Sequence, residues 1–395
     1  MNFELKRKAV TAGIVMGVML SSPVRADYQI GFMTDLSGAL SDAYTPIWEG
    51  FDLYVKALNA KGGIDGEKIV LHTEDDGLNL QKAISLTKKL ALQQKVIGIF
   101  GLSVSSIHGP VFEELRRLKV PAVTAFSATS DSLAPAKPFS FSTGSLFQIA
   151  GEAIGELTPK LGVKGKVVGM TIDTVGGRAA LRHNKLAVER VGYGWDEVAF
   201  PIQSVDFTPF AQAAAAKNPA IVVGHYGTAQ NLGIIPALRR SGFAGPYLIA
   251  NYGVTETAIE GAAKAAGSGE NIYVVSRYAP PQENIPAVEQ IRAAAKAHNL
   301  KSSLTQVHVE GWVLGMVMHA AVTKCGKGCT AEKLNETLEN LNVNTGGLTG
   351  GPIVFTKDNH YGASFWRLYK WNNASRKLDP VSEWIRRDGI EFGSL

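Results

Sequence analysis

The fold is decided by a stretch that begins Tyr28-Gln-Ile-Gly-Phe-Met33 and ends Lys61-Gly62-Gly63. The opening run is apolar without strict alternation, which is typical of a strand buried on both faces. Apolar residues then recur at helical spacing, at Ile47, Phe51, Tyr54, Val55 and Leu58. The glycine pair that follows is a common C-terminal stop for a helix. The stretch therefore predicts one strand–helix unit.

The same unit repeats along the chain. Seven further apolar runs predict strands, at Ile69–His72, Val96–Phe100, Ala122–Phe126, Val167–Ile172, Ala220–His225, Tyr247–Ala250 and Ile272–Val275. Repeated strand–helix–strand units indicate an α/β protein with parallel sheets and right-handed crossovers. We expect two sheets in two lobes, with a first break near Ser142–Gly144, because one core rarely serves a chain of this size. Since no Gly/Ser-rich linker occurs, several short crossings should form a hinge.

Composition excludes several classes of protein. The chain has 395 residues, 45% hydrophobic and 19% charged, which argues against a disordered chain, a collagen and a disulfide scaffold. The formal charge of +5 raises the question of nucleic-acid binding. Residues 1–26 carry four basic groups and one acidic group, which leaves about +2 for the rest. No later basic run is interleaved with aromatics, so we expect no nucleic-acid partner. We also expect no cofactor.

Residues 1–26 have the pattern of a secretory signal peptide. Lys6, Arg7 and Lys8 precede an uncharged stretch, Ala9–Leu20, and the small residues Val24 and Ala26 follow. We expect cleavage before Asp27 and export of the mature chain. Twelve apolar residues are too few to span a bilayer, and no later segment approaches 18.

The two cysteines lie in Cys325-Gly-Lys-Gly-Cys329, between two helical patterns. In an oxidising compartment so close a pair favours a local disulfide. The alternatives are a metal site, for which the ligand set is incomplete, and a redox pair, for which the spacing is not Cys-x-x-Cys.

Several motifs carry a resemblance to a known family. Thr34-Asp-Leu-Ser-Gly38 and Leu58-Asn-Ala-Lys-Gly-Gly-Ile64-Asp-Gly66 resemble the branched-chain amino-acid-binding proteins of ABC importers, which are type I periplasmic solute-binding proteins. Further matches follow in order to about Trp371, namely Glu74-Asp-Asp76, Gly101–Ser106, Val120–Thr129, Asp206-Phe207, Gly224-His-Tyr226 and Gly350–Phe355.

The resemblance implies two α/β lobes, each a mostly parallel sheet flanked by helices, joined by three hinge crossings around an enclosed ligand. It places lobe one at residues 27–143 plus 276–356, and lobe two at 144–275 plus 357–395. It also implies delivery of the ligand to an ABC permease and no enzymatic activity. We expect a monomer.

The resemblance places the ligand carboxylate against lobe one, at strand ends and helix N-termini, where backbone N–H groups favour an anion. Ser105 matches the family hydroxyl that contacts this carboxylate. Ser127 and Thr129, with Ala128 between them, match a second contact loop. The alternative for each hydroxyl is a helix N-cap.

In lobe two the matching positions change the expected ligand. Tyr226 matches a family tyrosine that faces the cleft. Tyr252, however, stands where the amino-acid binders carry an acid for the ligand's α-ammonium. A buried ammonium without a carboxylate would cost several kcal/mol. Glu256 and Asp173 are the candidates to replace the missing acid.

Two further residues complete the predicted site. Tyr44 is a candidate to line an aromatic slot with Tyr226 and Tyr252. Arg178 is a candidate anion ligand, and its alternative is a solvated surface arginine. The predicted ligand is therefore a small carboxylate, an aromatic or short aliphatic acid without a required α-amino group. Three alternatives stay open: an amino acid, a ligand-sensing partner of a receptor, and an enzyme that uses Ser105 or Ser103 with His108 or His225.

Overall fold

The structure, a computed structural model, describes Met1 and residues 27–125, 133–144, 146–250, 255–362 and 365–387. Its strands are β1 Tyr28–Thr34, β2 Ile69–Asp75, β3 Gly98–Gly101, β4 Ala122–Thr124, β5 Ser140–Ser142, β6 Lys166–Ile172, β7 Gly194–Phe200, β8 Ile221–His225, β9 Tyr247–Ala250, β10 Ile272–Ser276, β11 Leu341–Val343, β12 Ile353–Phe355, β13 Phe365–Asn372, β14 Lys377–Pro380 and β15 Ile385–Arg386. Its α-helices are α1 Ser41–Ala60, α2 Leu80–Lys88, α3 Ser105–Leu118, α4 Phe147–Leu157, α5 Val175–Arg190, α6 Thr208–Ala215, α7 Thr228–Arg240, α8 Glu256–Ala266, α9 Pro286–Ala297, α10 Gln306–Cys325 and α11 Ala331–Leu338.

These strands form two separate main sheets. The first has the order β2-β1-β3-β4-β5 and is parallel throughout. The second has the order β14-β13-β10-β9-β8-β6-β7, with β15 beside β13. Its strands β6 to β10 are parallel, and β13 runs antiparallel to β10. The prediction of two parallel-dominated α/β lobes is confirmed.

The chain passes between the two sheets three times, after β5, after β10 and before β13. We call the first sheet with α1–α3 and α9–α11 the first lobe, and the second sheet with α4–α8 the second lobe. The residue boundaries implied by the resemblance stay a prediction.

All eight strands expected from apolar runs are present, but the apolar runs did not indicate β5, β7 or β11 to β15. The missed strands are short or carry charges. In β7, Asp196 and Glu197 lie on a strand at the edge of the second sheet, where one side of the backbone stays unpaired. Strand β4 ends at Thr124, and Phe126, predicted to close it, lies outside the described residues.

Helix α10 packs against α1 in the core of the first lobe. A disulfide joins Cys325, its last residue, to Cys329. None of the helices in the described ranges is both long enough and apolar enough to span a bilayer.

Glycines allow α1 and α10 to approach closely. A Cβ atom at Gly311 would overlap the carbonyl oxygen of Ile47, and one at Gly50 would overlap that of His308. Because both neighbours are backbone atoms in helices, neither can give way without separating the helices.

We therefore expect Gly311→Ala to lower the free energy of unfolding by about 2–4 kcal/mol, since overpacking outweighs the gain in helix propensity. Gly109→Ala is the control, because Gly109 lies in α3 and a Cβ there meets no atom within 4 Å outside its chain neighbours. The control should change the free energy of unfolding by less than about 1 kcal/mol, because the gain in helix propensity is opposed by contact with the ring of Pro110. Urea denaturation measures both, and equal effects would contradict the packing argument.

Candidate ligand-binding site

A cavity of about 230 Å³ lies between the two lobes. Its walls come from the carboxyl ends of strands and the first turns of helices in both sheets, which is where open α/β folds hold ligands. The first lobe contributes Leu40, Ala43, Tyr44, Leu78, Ser103, Val104 and Ser106. The second contributes Phe147, Thr171, Ile172, Thr174, Gly176, Gly177, Ile202, His225, Tyr226 and Gly227.

Most helices that begin at this cavity lack a side-chain N-cap of their own. The N-cap residues of α1, α3, α4 and α7 are Leu40, Val104, Leu146 and Gly227, and none makes a side-chain capping bond. Among these cavity-facing helices α5 differs, because Thr174 accepts from the N–H of Gly177. The positive end of a helix dipole favours an anion, and an N-cap residue without a side-chain acceptor leaves room for one.

The wall around the start of α3 is held by a buried carboxylate. Asp76 accepts from the hydroxyl of Ser103 at 2.7 Å and from the backbone N–H of Leu78 at 2.9 Å. Burial raises the pKa of Asp76, an effect these two hydrogen bonds oppose. Because Ser103 and Leu78 both line the cavity, Asp76 positions two wall residues. The Ser103 hydroxyl is engaged with a carboxylate, an arrangement unlike a serine–histidine nucleophile.

Tyr226 presents its ring to the cavity and turns its hydroxyl into the second lobe. That hydroxyl is hydrogen-bonded to the hydroxyl of Tyr247, which in turn donates to Asn231 Oδ1 at 2.8 Å. Burial is the main cause that holds the pKa of Tyr226 well above its usual range. The ring of Phe200 packs edge-on against it, with centroids 5.3 Å apart. Tyr226 therefore contributes an aromatic surface to the cavity.

His225 and Phe147 form a second aromatic contact in the wall. Their rings lie edge to face with centroids 5.8 Å apart. Burial lowers the pKa of His225 to about 3, so the imidazole is neutral at physiological pH. Among the described lining residues there is accordingly no charged side chain.

The two acids that were candidates to bind an ammonium group are engaged elsewhere. Glu256 Oε2 accepts from the backbone N–H of Gln306 at 3.3 Å. Asp173 Oδ1 accepts from Arg178 Nε at 2.8 Å, and Arg178 also lies near Glu197. Neither acid, nor Arg178, is among the residues that line the cavity in the described part of the chain.

The predicted site residues fall into three groups: those at the cavity, one that lies away from it, and those outside the described residues. Tyr44 and Tyr226 line the cavity together, and Ser105 begins α3 between two lining residues, Val104 and Ser106. Arg178 points into an ion pair with Asp173. Ser127, Ala128, Thr129 and Tyr252 lie outside the described residues.

Several lining residues were not predicted, namely Phe147, Thr174, Gly176, Gly177, Ile202 and His225. Thr174 to Gly177 follow a predicted strand and open a helix, so the rule for strand carboxyl ends could have selected them. Ile202 carries no such signal.

Comparison with known proteins agrees with this geometry. The family model described as periplasmic binding protein matches residues 27–376. The chain belongs to this family. It is 34% identical over 125 residues to an amino acid binding protein of Pseudomonas aeruginosa, and 36% identical over 81 residues to a Leu/Ile/Val-binding protein homolog of Brucella abortus. These alignments span 31% and 20% of this chain, and 33% and 20% of the relatives.

Solved structures of periplasmic binding proteins resemble the whole two-lobe fold. A fatty acid ABC transporter substrate-binding protein from Thermomonospora curvata superposes with a TM-score of 0.79 at 20% identity, over 92% of this chain and 93% of that one. A branched-chain amino acid transporter protein from Thermus thermophilus with bound valine gives 0.82 at 17%, over 92% and 97%. A solute-binding protein from R. palustris in complex with benzoate gives 0.77 at 20%, over 92% and 99%. At these identities the likeness establishes the fold.

The buried carboxyl of Glu256 should make the stability of this periplasmic binding protein depend on pH. Its Oε1 atom is buried and has no hydrogen-bond partner among the described residues, and burial raises the pKa of the carboxyl group from 4.5 to about 7. The folded state therefore holds this proton more tightly than the unfolded state. The contribution of this group to the free energy of unfolding is fully present below about pH 4.5 and is lost as the pH rises to about 7.

We expect Glu256→Gln to raise the free energy of unfolding by about 2 kcal/mol at pH 8 and to change it little at pH 4.5. Urea denaturation at both pH values measures the difference. Glu260→Gln, in the same helix at a more exposed ion pair with Arg376, should shift stability by less than about 1 kcal/mol at either pH. A Glu256→Gln effect that is equal at the two pH values would contradict the assignment.

Proposed function

We propose that this chain is the substrate-binding component of an ABC importer and encloses a small, largely apolar carboxylate between its lobes. One observation carries the proposal. The interlobe cavity combines aromatic and aliphatic walls with the N-terminus of α3, whose N-cap residue makes no side-chain cap, and none of its described lining residues is acidic.

The absence of an acid from the described lining argues against a ligand ammonium group. An ammonium enclosed without a carboxylate partner costs several kcal/mol. Glu256 and Asp173 already accept hydrogen bonds from Gln306 and Arg178. The hydroxyl of Ser106, which lines the cavity, and the N-terminus of α3 suit a carboxylate instead.

The size of the cavity supports a small ligand. At about 230 Å³ it lies below the usual range for drug-sized ligands, which begins at about 300 Å³. Tyr44, Phe147 and Tyr226 in its wall suit an aromatic ring or a short aliphatic chain. The benzoate complex from R. palustris and the fatty acid transporter protein from Thermomonospora curvata show that this fold accommodates such acids in other proteins.

An amino-acid ligand is the second candidate. The curated relatives are named as amino acid and Leu/Ile/Val-binding proteins, and the segment 251–254 that contains Tyr252 lies outside the described residues. An amino-acid ligand requires an acidic side chain outside the described lining to reach the cavity and pair with the ammonium group.

Binding would act on an equilibrium between open and closed lobes. A solute that touches both walls binds the closed form more tightly and so increases its population. The closed form would then dock on the permease. The proposal includes export through the signal at residues 1–26, cleavage before Asp27, a periplasmic location and a monomeric protein.

A thermal-shift screen of matched acid pairs tests the ligand class. We expect 3-phenylpropionate or 4-methylpentanoate to raise the melting temperature of the chain from Asp27 onward. Phenylalanine and leucine, which add only an α-amino group, should have a smaller effect. The matching primary amides test the need for the carboxylate. Stabilisation by the amino acids alone would overturn the proposal in favour of the second candidate.

Two substitutions at Tyr226 test whether its ring, and not its hydroxyl, serves the ligand. Tyr226→Ala should weaken binding of the best carboxylate from the screen at least tenfold, because it removes aromatic wall. Tyr226→Phe keeps the ring and should change the dissociation constant by less than about threefold, while the lost hydrogen bond to Tyr247 costs about 1 kcal/mol of stability. Isothermal titration calorimetry measures the affinities, and equal losses in both variants would contradict this role.

A further inference from the structure

Helix α7 of the second lobe begins without a capping group of its own. Its N-cap residue is Gly227, which has no side chain, whereas the first N–H groups of any helix need acceptors. One of these groups, the N–H of Ala229, donates to Asp42 Oδ2 at 2.8 Å. Asp42 is the second residue of α1, in the first lobe. The cap of this helix therefore crosses the cleft.

The contact lies where the two lobes meet at the cavity. Ala43 and Tyr44, which follow Asp42, line the cavity from one side, and Tyr226 and Gly227 line it from the other. A Cβ atom built on Gly227 would lie 3.7 Å from the Cβ of Ala43. Leu40, at the start of the same helix as Asp42, packs against the hydrophobic cores of both lobes. These contacts require the lobes to be together.

A second carboxylate contact between the lobes provides a contrast. Glu256 of the second lobe accepts from Gln306, the first residue of α10 in the first lobe. Helix α10 already has a complete capping box, in which Thr305 and His308 satisfy each other's backbone N–H groups. Glu256 therefore adds a contact to a capped helix, whereas Asp42 supplies a cap that Gly227 cannot provide.

Charge and burial act on Asp42 in opposite directions. A carboxylate at a helix N-terminus is favoured by the helix dipole. Burial against the second lobe raises the pKa of Asp42, and the hydrogen bond from Ala229 is the largest of the effects that lower it. An uncharged acceptor at position 42 would keep the hydrogen bond from the N–H of Ala229 and avoid the cost of burying a charged group.

We propose that Asp42 is a positioning residue for lobe closure, which stabilises the closed form by capping helix α7 from the opposite lobe without contacting the solute. The inference rests on the proposed function, in which closure encloses a ligand. The hydrogen bond between Asp42 and Ala229 then supplies part of the free energy of closure without involving the ligand. The affinity for every solute therefore depends on Asp42.

A disulfide trap measures closure without any solute. Cysteines introduced as Ala43→Cys and Gly227→Cys place their Cβ atoms near the 3.8 Å typical of disulfides, and the nearby Gln230 amide is the flexible end of a side chain. The two natural cysteines are already paired. The rate of cross-linking under copper phenanthroline, followed by mass spectrometry after thiol labelling, then reports how often the lobes close.

We expect the double-cysteine protein to cross-link, and Asp42→Ala in that background to slow the reaction about three- to tenfold. Asp42→Asn retains a capping oxygen and should stay within twofold of the parent. Asp52→Ala, which removes a carboxylate of the same helix that pairs with the nearby Lys56, is the matched control and should leave the rate unchanged. Far-UV circular dichroism of each reduced variant establishes that it is folded.

Three results would overturn the inference: no cross-link in the parent, an Asp42→Ala rate equal to the parent, or an Asp42→Asn rate as slow as Asp42→Ala. None of these measurements uses a solute. Failure of every carboxylate in the thermal-shift screen would therefore reject the proposed ligand class and leave the cross-linking rates to decide the role of Asp42.

Discussion

The need of helix N-termini for acceptors is the constraint on which the cleft depends. Parallel strands followed by helices bring the carboxyl ends of strands and the first turns of helices to one edge of each sheet. In this protein the two edges face each other, and four of the helices that begin there have N-cap residues that make no side-chain cap, namely Leu40, Val104, Leu146 and Gly227. An acceptor can then come from a neighbouring carbonyl group, as Gly38 provides for the N–H of Ser41, from the opposite lobe, as Asp42 provides for Ala229, or from a ligand.

A buried ion pair lies at the second passage of the chain between the two sheets. Arg277 follows β10, at the second passage between the sheets, and donates to Glu310 Oε1 in α10 at 3.0 Å. Its guanidinium also lies 5.7 Å from the ring of Trp366, in β13 of the second lobe. Burial raises the pKa of Glu310 to about 7 even though the charge of Arg277 opposes the shift. A buried pair of this kind is costly to break, since either partner alone would be an uncompensated charge. It therefore ties the first lobe to the crossing segment.

The sequence was informative where burial is uniform and uninformative where it is mixed. Strands such as β6 and β8 are buried on both faces, so their Val and Ile runs are visible without a structure. Strand β13 alternates between buried and half-buried positions and includes Arg367 and Lys370, and it was missed. Tyr226 was predicted because it matches a family tyrosine next to a recognisable strand, whereas Ile202 reaches the cavity from a loop whose path depends on the packing of β7.

The amino-acid sequence by itself determined the two-lobe α/β architecture, the order of its main strands and helices, and the family, because these follow from local periodicity and short motifs. Only the tertiary structure decided which acidic side chains are available to a ligand. Asp42 finds its partner 187 residues away and Glu256 finds its partner 50 residues away. Hydrogen bonds between residues so far apart form only when folding brings the two lobes together, so no local pattern records them.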